Sequence, residues 1–208
     1  MPYVARSQFP YLVADRGCIA QAPIPEGELI LAEKPFLRMC EGEFVVPAQA
    51  TQHPYWRDLR PAPHSFGQGE TYDIFKGNAL RCGMYRRNAI TEAKAWAIFL
   101  RAASLNSSCE PNVHAHWNSQ AEQMEFRTLR YLETGKELLI CYDHRIVIRT
   151  TAERQDWLSK EFGFDCRCEA CVNTEDESDI RREYLGTILG AGGSKDVEDV
   201  SKTGGYCY

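Results

Sequence analysis

The chain has 208 residues, 44% of them hydrophobic, and a formal net charge of −5. That length buries a substantial core, as one domain or one domain with small appendages. The acidic balance gives no electrostatic case for direct nucleic-acid binding, although it suits a basic partner such as a Lys-rich protein.

The first third reads as β. Residues 28–32 (E-L-I-L-A) and 43–46 (E-F-V-V) are strand-like, with turns marked by Pro23, Pro25, Gly27, Pro35 and Gly42. Residues 47–70 hold four prolines and two glycines with little periodicity, which predicts an irregular insertion. Thr91 is placed to cap a helix whose Ala93, Trp96, Phe99, Leu100 and Ala103 fall near one face. Strand signals return at 113–117, 124–129 and 137–141. Thr150-x-x-Glu153 is a capping-box pattern opening a helix that ends near Phe162. The acidic stretch 175–179 reads as a solvated face. A short amphipathic segment at 184–189 then leads into a Gly-containing acidic tail. Many short strands with a few helices indicate a β-rich α+β domain.

Nine cysteines are too few for a disulfide scaffold, and their number is odd. No leader-like segment precedes Tyr3, and no apolar run approaches the length that spans a membrane. A reducing compartment is expected, nuclear and/or cytoplasmic, with no membrane partner. Cys166, Cys168 and Cys171 form a C-x-C-x2-C cluster, and Cys109 lies in the upstream turn N-S-S-C-E-P-N. Zinc takes about four soft ligands in a tetrahedron. The three clustered thiols leave such a site open, and Cys109 is well placed to close it. One structural zinc is therefore expected, stapling the C-terminal segment to the turn before it. Cys18, Cys40, Cys82, Cys141 and Cys207 are read as free thiols. Same-strand His114 and His116 lack a matching third ligand. Asn112 is read as structural, beside a Pro turn.

Several landmarks stand in order: R-G-C-I-A from Arg16, K-G-N-A-L from Lys76, L-N-S-S-C-E-P-N from Leu105, E-T-G-K-E-L-L-I-C-Y ending at Tyr142, and F-G-F-D-C-R-C-E-A-C from Phe162. This order resembles the SET-domain lysine methyltransferases, closest to the SMYD-like branch and its small fungal relatives. The likeness runs from about residue 10 to 172. The ordered turn, G-K-E-L strand and cysteine cluster carry it together. Two departures stand out. Ser107 replaces the family's usual His in the N-H-S-C turn. Cys40, His53 and His64 are too few for the branch's MYND finger, so that module and the long helical C-terminal domain are expected to be missing.

The resemblance implies a SET fold of short strands in small sheets, with a threaded C-terminal segment, an irregular insertion and a zinc-bound post-SET motif. It divides the chain into an N-terminal SET part (1–46), an insertion with helix (47–90), the C-terminal SET core (91–165), the post-SET zinc motif (166–172) and a tail (173–208). It implies methyl transfer from S-adenosylmethionine to a lysine of a protein or peptide substrate. Tyr142 matches the catalytic tyrosine and Phe162 a channel position that is often Tyr. Phe164 matches a residue packed on the cofactor. Asn78 and Asn106 match residues holding its amino-acid end. Arg16, Gly17 and Cys18 match the turn that cradles it, and the backbone of Ser107 the position that touches its adenine. Gly17 also has a reason of its own, because a ligand approaches closely where there is no Cβ. Three rivals remain open at this stage: a non-histone protein substrate, a degenerate SET domain acting as a binding module, and a SET scaffold acting on a small molecule. The target lysine, the methylation degree and the oligomeric state are not legible.

Overall fold

A computed structural model describes residues 11–14, 17–40, 45–59, 61–62, 69–86, 92–173 and 178–190. The chain divides into two compact units. The first joins Met1–Asn106 to Pro111–Ile140, and the second joins Ser107–Glu110 to Cys141–Tyr208. Among the described residues no helix is long and apolar enough to cross a membrane.

The first unit is built on small antiparallel sheets. Strands β1 (Tyr11–Ala14) and β2 (Gly17–Ala20) form a hairpin, β3 is Leu29–Glu33 and β4 is Leu37–Cys40. Short helices α1 (Ala48–Thr51) and α2 (Glu70–Asn78) precede β5 (Ala79–Arg86) and β6 (Glu92–Ile98). The two-residue β7 (Asn106–Ser107) straddles the unit boundary, followed by β8 (Val113–Asn118), β9 (Gln123–Thr128) and β10 (Glu137–Ile140). The sheet orders are β1-β2-β10-β7, β3-β9-β8 and β4-β6-β5. The expected strands at 28–32, 113–117, 124–129 and 137–141 are all present within a residue or two. On β9, Met124, Phe126 and Thr128 are buried while Gln123, Glu125 and Arg127 are more exposed, the period-2 pattern of a half-buried strand.

Two expectations are corrected here. The helix over 91–103 is instead β6, the central strand of its sheet, paired with β4 and β5. Thr91 lies outside the described residues. Ala93, Trp96, Phe99 and Leu100 do satisfy helical spacing, but Ala95, Ala97 and Ile98 are also fully buried. Strand β6 does alternate, with Ala95 and Ala97 buried and Lys94 and Trp96 less so, but its three alanines and the helical spacing fit a helix as well, and pairing on both edges overrides alanine's helical preference. The strand at 43–46 is not seen either. Glu43 and Phe44 lie outside the described residues, Val45 and Val46 are not in a strand, and the pairing segment is β4 just before them. Residues 47–59, expected as irregular, contain α1 and a 3₁₀ turn, Pro54–Asp58. Their Trp56 and Leu59 join Leu37, Met39, Ile74, Phe75 and Ile98 in one apolar cluster.

The 3₁₀ turn Ala102–Ser104 delivers the chain to Asn106, and Glu33 fixes its entry. The Glu33 carboxylate accepts the backbone N–H groups of Arg101 and Ala102 at 3.0 and 3.1 Å. Burial pushes the Glu33 pKa up against the opposing pull of those donors.

The second unit is helical: a 3₁₀ turn (His144–Ile148), α3 (Thr151–Phe162), α4 (Glu169–Val172) and α5 (Ser178–Gly190). The capping box is formed as expected. Thr150 Oγ1 accepts from the Glu153 N–H, the Glu153 carboxylate accepts from the Thr150 N–H at 2.8 Å, and Gly163 at φ 71° ends α3. Helix α5 is longer than its apolar pattern indicates, because its first turn is held by polar contacts. In the stretch expected as a solvated face, residues 175–177 lie outside the described set, but Asp179 is engaged: its carboxylate accepts the Thr151 backbone N–H and hydroxyl, both at 2.9 Å. Replacing Thr150 by Ala removes the reciprocal cap, and urea unfolding is expected to show a loss of about 1 kcal/mol. Unchanged stability would show that the box contributes nothing.

Candidate active site and cysteine centre

In the first unit, β2 and β10 bring three of the singled-out residues around one carboxylate. Cys18 pairs with Leu138 and Ile19 with Glu137 across the two strands. The Glu137 carboxylate accepts a hydrogen bond from Asn106 Nδ2 at 2.7 Å. It lies so close to Gly17 that an added Cβ would collide with it, and would also stand 2.9 Å from Asn106 Nδ2. Gly17 is therefore required by close approach. Cys18 is fully buried and its thiol donates to the Ser104 carbonyl at 3.6 Å. Burial, then the charge of Glu137, push its pKa up to about 12, so it is a packed neutral thiol. Arg16 lies outside the described residues.

Asn78 ends α2, and its Nδ2 donates back to the Ile74 carbonyl at 2.7 Å. Asn112 is bound to β10 on both sides of its amide, donating to Glu137 O and accepting from Leu139 N–H, each at 2.8 Å. That is a structural splice between the turn and the strand. Glu137 stands within the G-K-E-L motif, and the spacing alone assigns it no role. Its strand position, opposite the Gly17 turn, was the available signal.

The second unit holds the remaining candidates. Tyr142 packs against Phe162 at 5.3 Å between ring centroids, and edge-on against Phe164 at 6.4 Å and 87°. The two phenylalanines flank Gly163, whose left-handed backbone ends α3 between them. Ser107 contacts this trio directly: its Oγ accepts the Tyr142 backbone N–H at 3.3 Å. The small hydroxyl thus has a local job, steadying the backbone that presents the tyrosine. Trp157 lies one helical turn before this cluster, with the guanidinium groups of Arg145 and Arg149 over its ring at 4.6 and 5.1 Å.

The four cysteines singled out from spacing come together. The sulfurs of Cys109, Cys166, Cys168 and Cys171 all lie within 4.8 Å of one another. Cys109 Sγ is 3.8 Å from Cys166 Sγ and 3.6 Å from Cys171 Sγ. Tetrahedral zinc with Zn–S bonds of about 2.3 Å places its sulfurs roughly 3.8 Å apart, so donor chemistry and spacing both fit. Hydrogen bonds with Cys166 and Cys168, then burial, push Cys109 upward, and burial pushes Cys171 up to about 11. Four soft ligands leave no open position, so the arrangement is suited to structure and not to Lewis-acid chemistry. The cluster packs with Ile146 and Leu158, and Phe162, Phe164 and Trp157 lie against it.

Comparison with known proteins adds the family context. The SET domain model matches residues 15–143, a span that takes in Gly17, Cys18, Asn78, Asn106, Ser107, Cys109 and Tyr142 and stops before Phe162. The histone-lysine N-methyltransferase set5 of Schizosaccharomyces pombe is 31% identical over 179 residues, 81% of this chain and 52% of that protein. The histone-lysine N-methyltransferase ATXR4 of Arabidopsis thaliana is 37% identical over 79 residues, 38% of this chain and 23% of that protein. The chain thus spans about half the length of the first of these relatives, and the second is matched over less than a quarter of its own length. Among solved structures, the methyltransferase domain of human PR domain-containing protein 2 aligns with a TM-score of 0.37 at 14% identity, covering 67% of this chain and 80% of that one.

Gly17→Ala is expected to destabilise the chain by about 1–3 kcal/mol in urea unfolding, because the added methyl displaces the Glu137 carboxylate and its bond to Asn106. A neutral effect would show that the strand relaxes and that close approach is not what the site requires.

Proposed function

We propose that this chain, which belongs to the SET-domain family, is an S-adenosylmethionine-dependent protein-lysine N-methyltransferase with one structural zinc. The observation that carries the reading is the SET match over residues 15–143. The methyltransferase names of the relatives and the aromatic group around Tyr142 support it. The substrate we propose is a lysine side chain of a histone or another protein, met in the nucleus or cytoplasm.

S-adenosylmethionine supplies an electrophilic methyl carbon on a sulfonium. A lysine, whose pKa is ordinarily about 10.4, must present a neutral amine to it. The protein's work is then orientation and exclusion of water. In this reading Arg16, Gly17, Cys18, Asn78, Asn106, Ser107 and Phe164 hold the cofactor, and the Tyr142 hydroxyl directs the amine lone pair. The ring faces of Tyr142, Phe162 and Phe164 suit cationic sulfonium and methylammonium groups at about 0.5–2 kcal/mol each. Ser107 keeps the Tyr142 backbone in place through the bond described above. Phe162 has no hydroxyl to restrain a methylated amine, so the channel accommodates di- and trimethyl-lysine. Cys109, Cys166, Cys168 and Cys171 bind the zinc.

Mass spectrometry after incubation with the cofactor and Lys-rich proteins is expected to find methyl groups on lysine side chains. Tyr142→Phe keeps the ring and removes the hydroxyl. A single-turnover rate about 100-fold lower is expected, equivalent to about 2.7 kcal/mol of transition-state stabilisation. A wild-type rate in that variant would remove Tyr142 from the mechanism. No transfer by the wild type would favour a binding module or a small-molecule enzyme.

Metal analysis of protein purified without chelator is expected to give one zinc per chain. Cys168→Ser is expected to lower both zinc content and activity while the β-sheets of the first unit remain. Well under one zinc per chain in the wild type would contradict the assignment.

A further inference from the structure

Helix α3 directs two consecutive polar side chains at the cysteine centre, and neither belongs to the reaction proposed above. Arg154 is 0% exposed, on the same helical face as buried Leu158. Its Nη2 donates to Ala170 O at 2.8 Å, to Thr151 Oγ1 at 2.8 Å and toward Cys171 Sγ at 3.6 Å. Its Nη1 donates to Arg149 O at 2.7 Å and to Asp179 Oδ1 at 3.2 Å. Gln155 grips the other side of the cysteine loop. Its Nε2 donates to Cys166 O at 2.7 Å, and its Oε1 accepts Cys166 N–H at 2.8 Å. The pair therefore holds the first and last cysteines of the C-x-C-x2-C loop from a single turn of helix.

We propose that Arg154 is the buried counter-cation of a metal tetrathiolate at Cys109, Cys166, Cys168 and Cys171, and that Gln155 clips the Cys166 backbone in register with it. The inference rests on the metal reading above. A divalent cation with four thiolates carries a net charge of −2. Burying such a dianion is costly unless donors and positive charge face it. A guanidinium is fully buried beside one of its sulfurs. Asp179, the carboxylate on Arg154, is itself occupied by Thr151 and is 38% exposed, so it offsets the arginine incompletely. The metal-bound sulfur supplies the remaining anionic partner. Groups that hydrogen-bond to metal ligands set ligand geometry and metal affinity, and losing one costs about 10- to 100-fold in affinity. Arg154 and Gln155 are positioning residues, acting on metal through Cys171 and Cys166.

The test loads the full chain with cobalt(II) or zinc and follows metal release to a chelator, alongside the cobalt–thiolate charge-transfer band. Arg154→Met is expected to weaken retention about 10- to 100-fold. The band should move to longer wavelength, because a thiolate that loses a donor gives up electron density more readily. Arg154→Lys keeps the charge and should restore the band position. Gln155→Leu should speed release without moving the band, since it holds backbone and not sulfur. Unchanged release and an unmoved band in Arg154→Met overturn the inference while leaving the metal site standing. No tetrathiolate spectrum in the wild type overturns both. If Arg154→Met does not fold, the wild type loaded with an NMR-active cadmium isotope decides. Coupling from metal through Cys171 sulfur to the Arg154 Nη protons supports the contact, and its absence overturns it.

Discussion

Four thiols within 4.8 Å of one another impose the strongest constraint on this molecule. They come from chain positions more than fifty residues apart, and together they are a poor arrangement for free cysteines. Their contacts split the thiols, pushing Cys109 and Cys171 upward and pulling Cys168 downward. A cation with tetrahedral preference would join all four as ligands and cross-link the two segments. The rest of the second unit is arranged about the cluster. Leu158 and Ile146 wall it, and Phe162 and Phe164 pack against it. Arg182 of α5 donates to the Cys109 carbonyl at 3.4 Å and to the Val147 carbonyl at 2.8 Å. Phe162 and Phe164, which pack on Tyr142, therefore rest on the cysteine centre.

The first unit supplies a different kind of precision. Gly17, Asn106 and Glu137 are packed so closely that the absence of a Cβ at Gly17 is a geometric requirement. Asn112 is bound to β10 through both ends of its amide. Glu33 steadies the approach to Asn106 through two backbone N–H groups. Polar side chains here hold turns and strand ends in place.

What was legible in the sequence follows from how local each signal is. The capping box at Thr150 and Glu153 involves neighbours within one turn, and it formed as expected. The cysteine cluster was readable because three thiols fall within six residues and a fourth sits in a Pro turn. Strand β9 was readable because one face is buried and the other is not. Strand β6 was not, because its alanines favour helix and its pairing with β4 and β5 is not encoded in the segment itself. Strand β4 and the true start of α5 depend on partners distant in sequence. Arg154 was missed for the same reason, although one arginine on the Leu158 stripe of an amphipathic helix was a signal that something buried needed its charge. Ser107, noted as a departure from the family turn, turns out to hold the Tyr142 backbone, a contact that no motif spacing encodes.

Cofactor binding is the claim on which the rest of the functional account stands. Calorimetric titration of S-adenosylmethionine into the zinc-loaded chain tests it without any assumption about the protein substrate. The account predicts saturable binding of one cofactor per chain, weakened by roughly 1–3 kcal/mol in Asn106→Ala, where a half-buried polar partner is lost. No heat of binding at millimolar cofactor, from folded and metal-loaded protein, would contradict it.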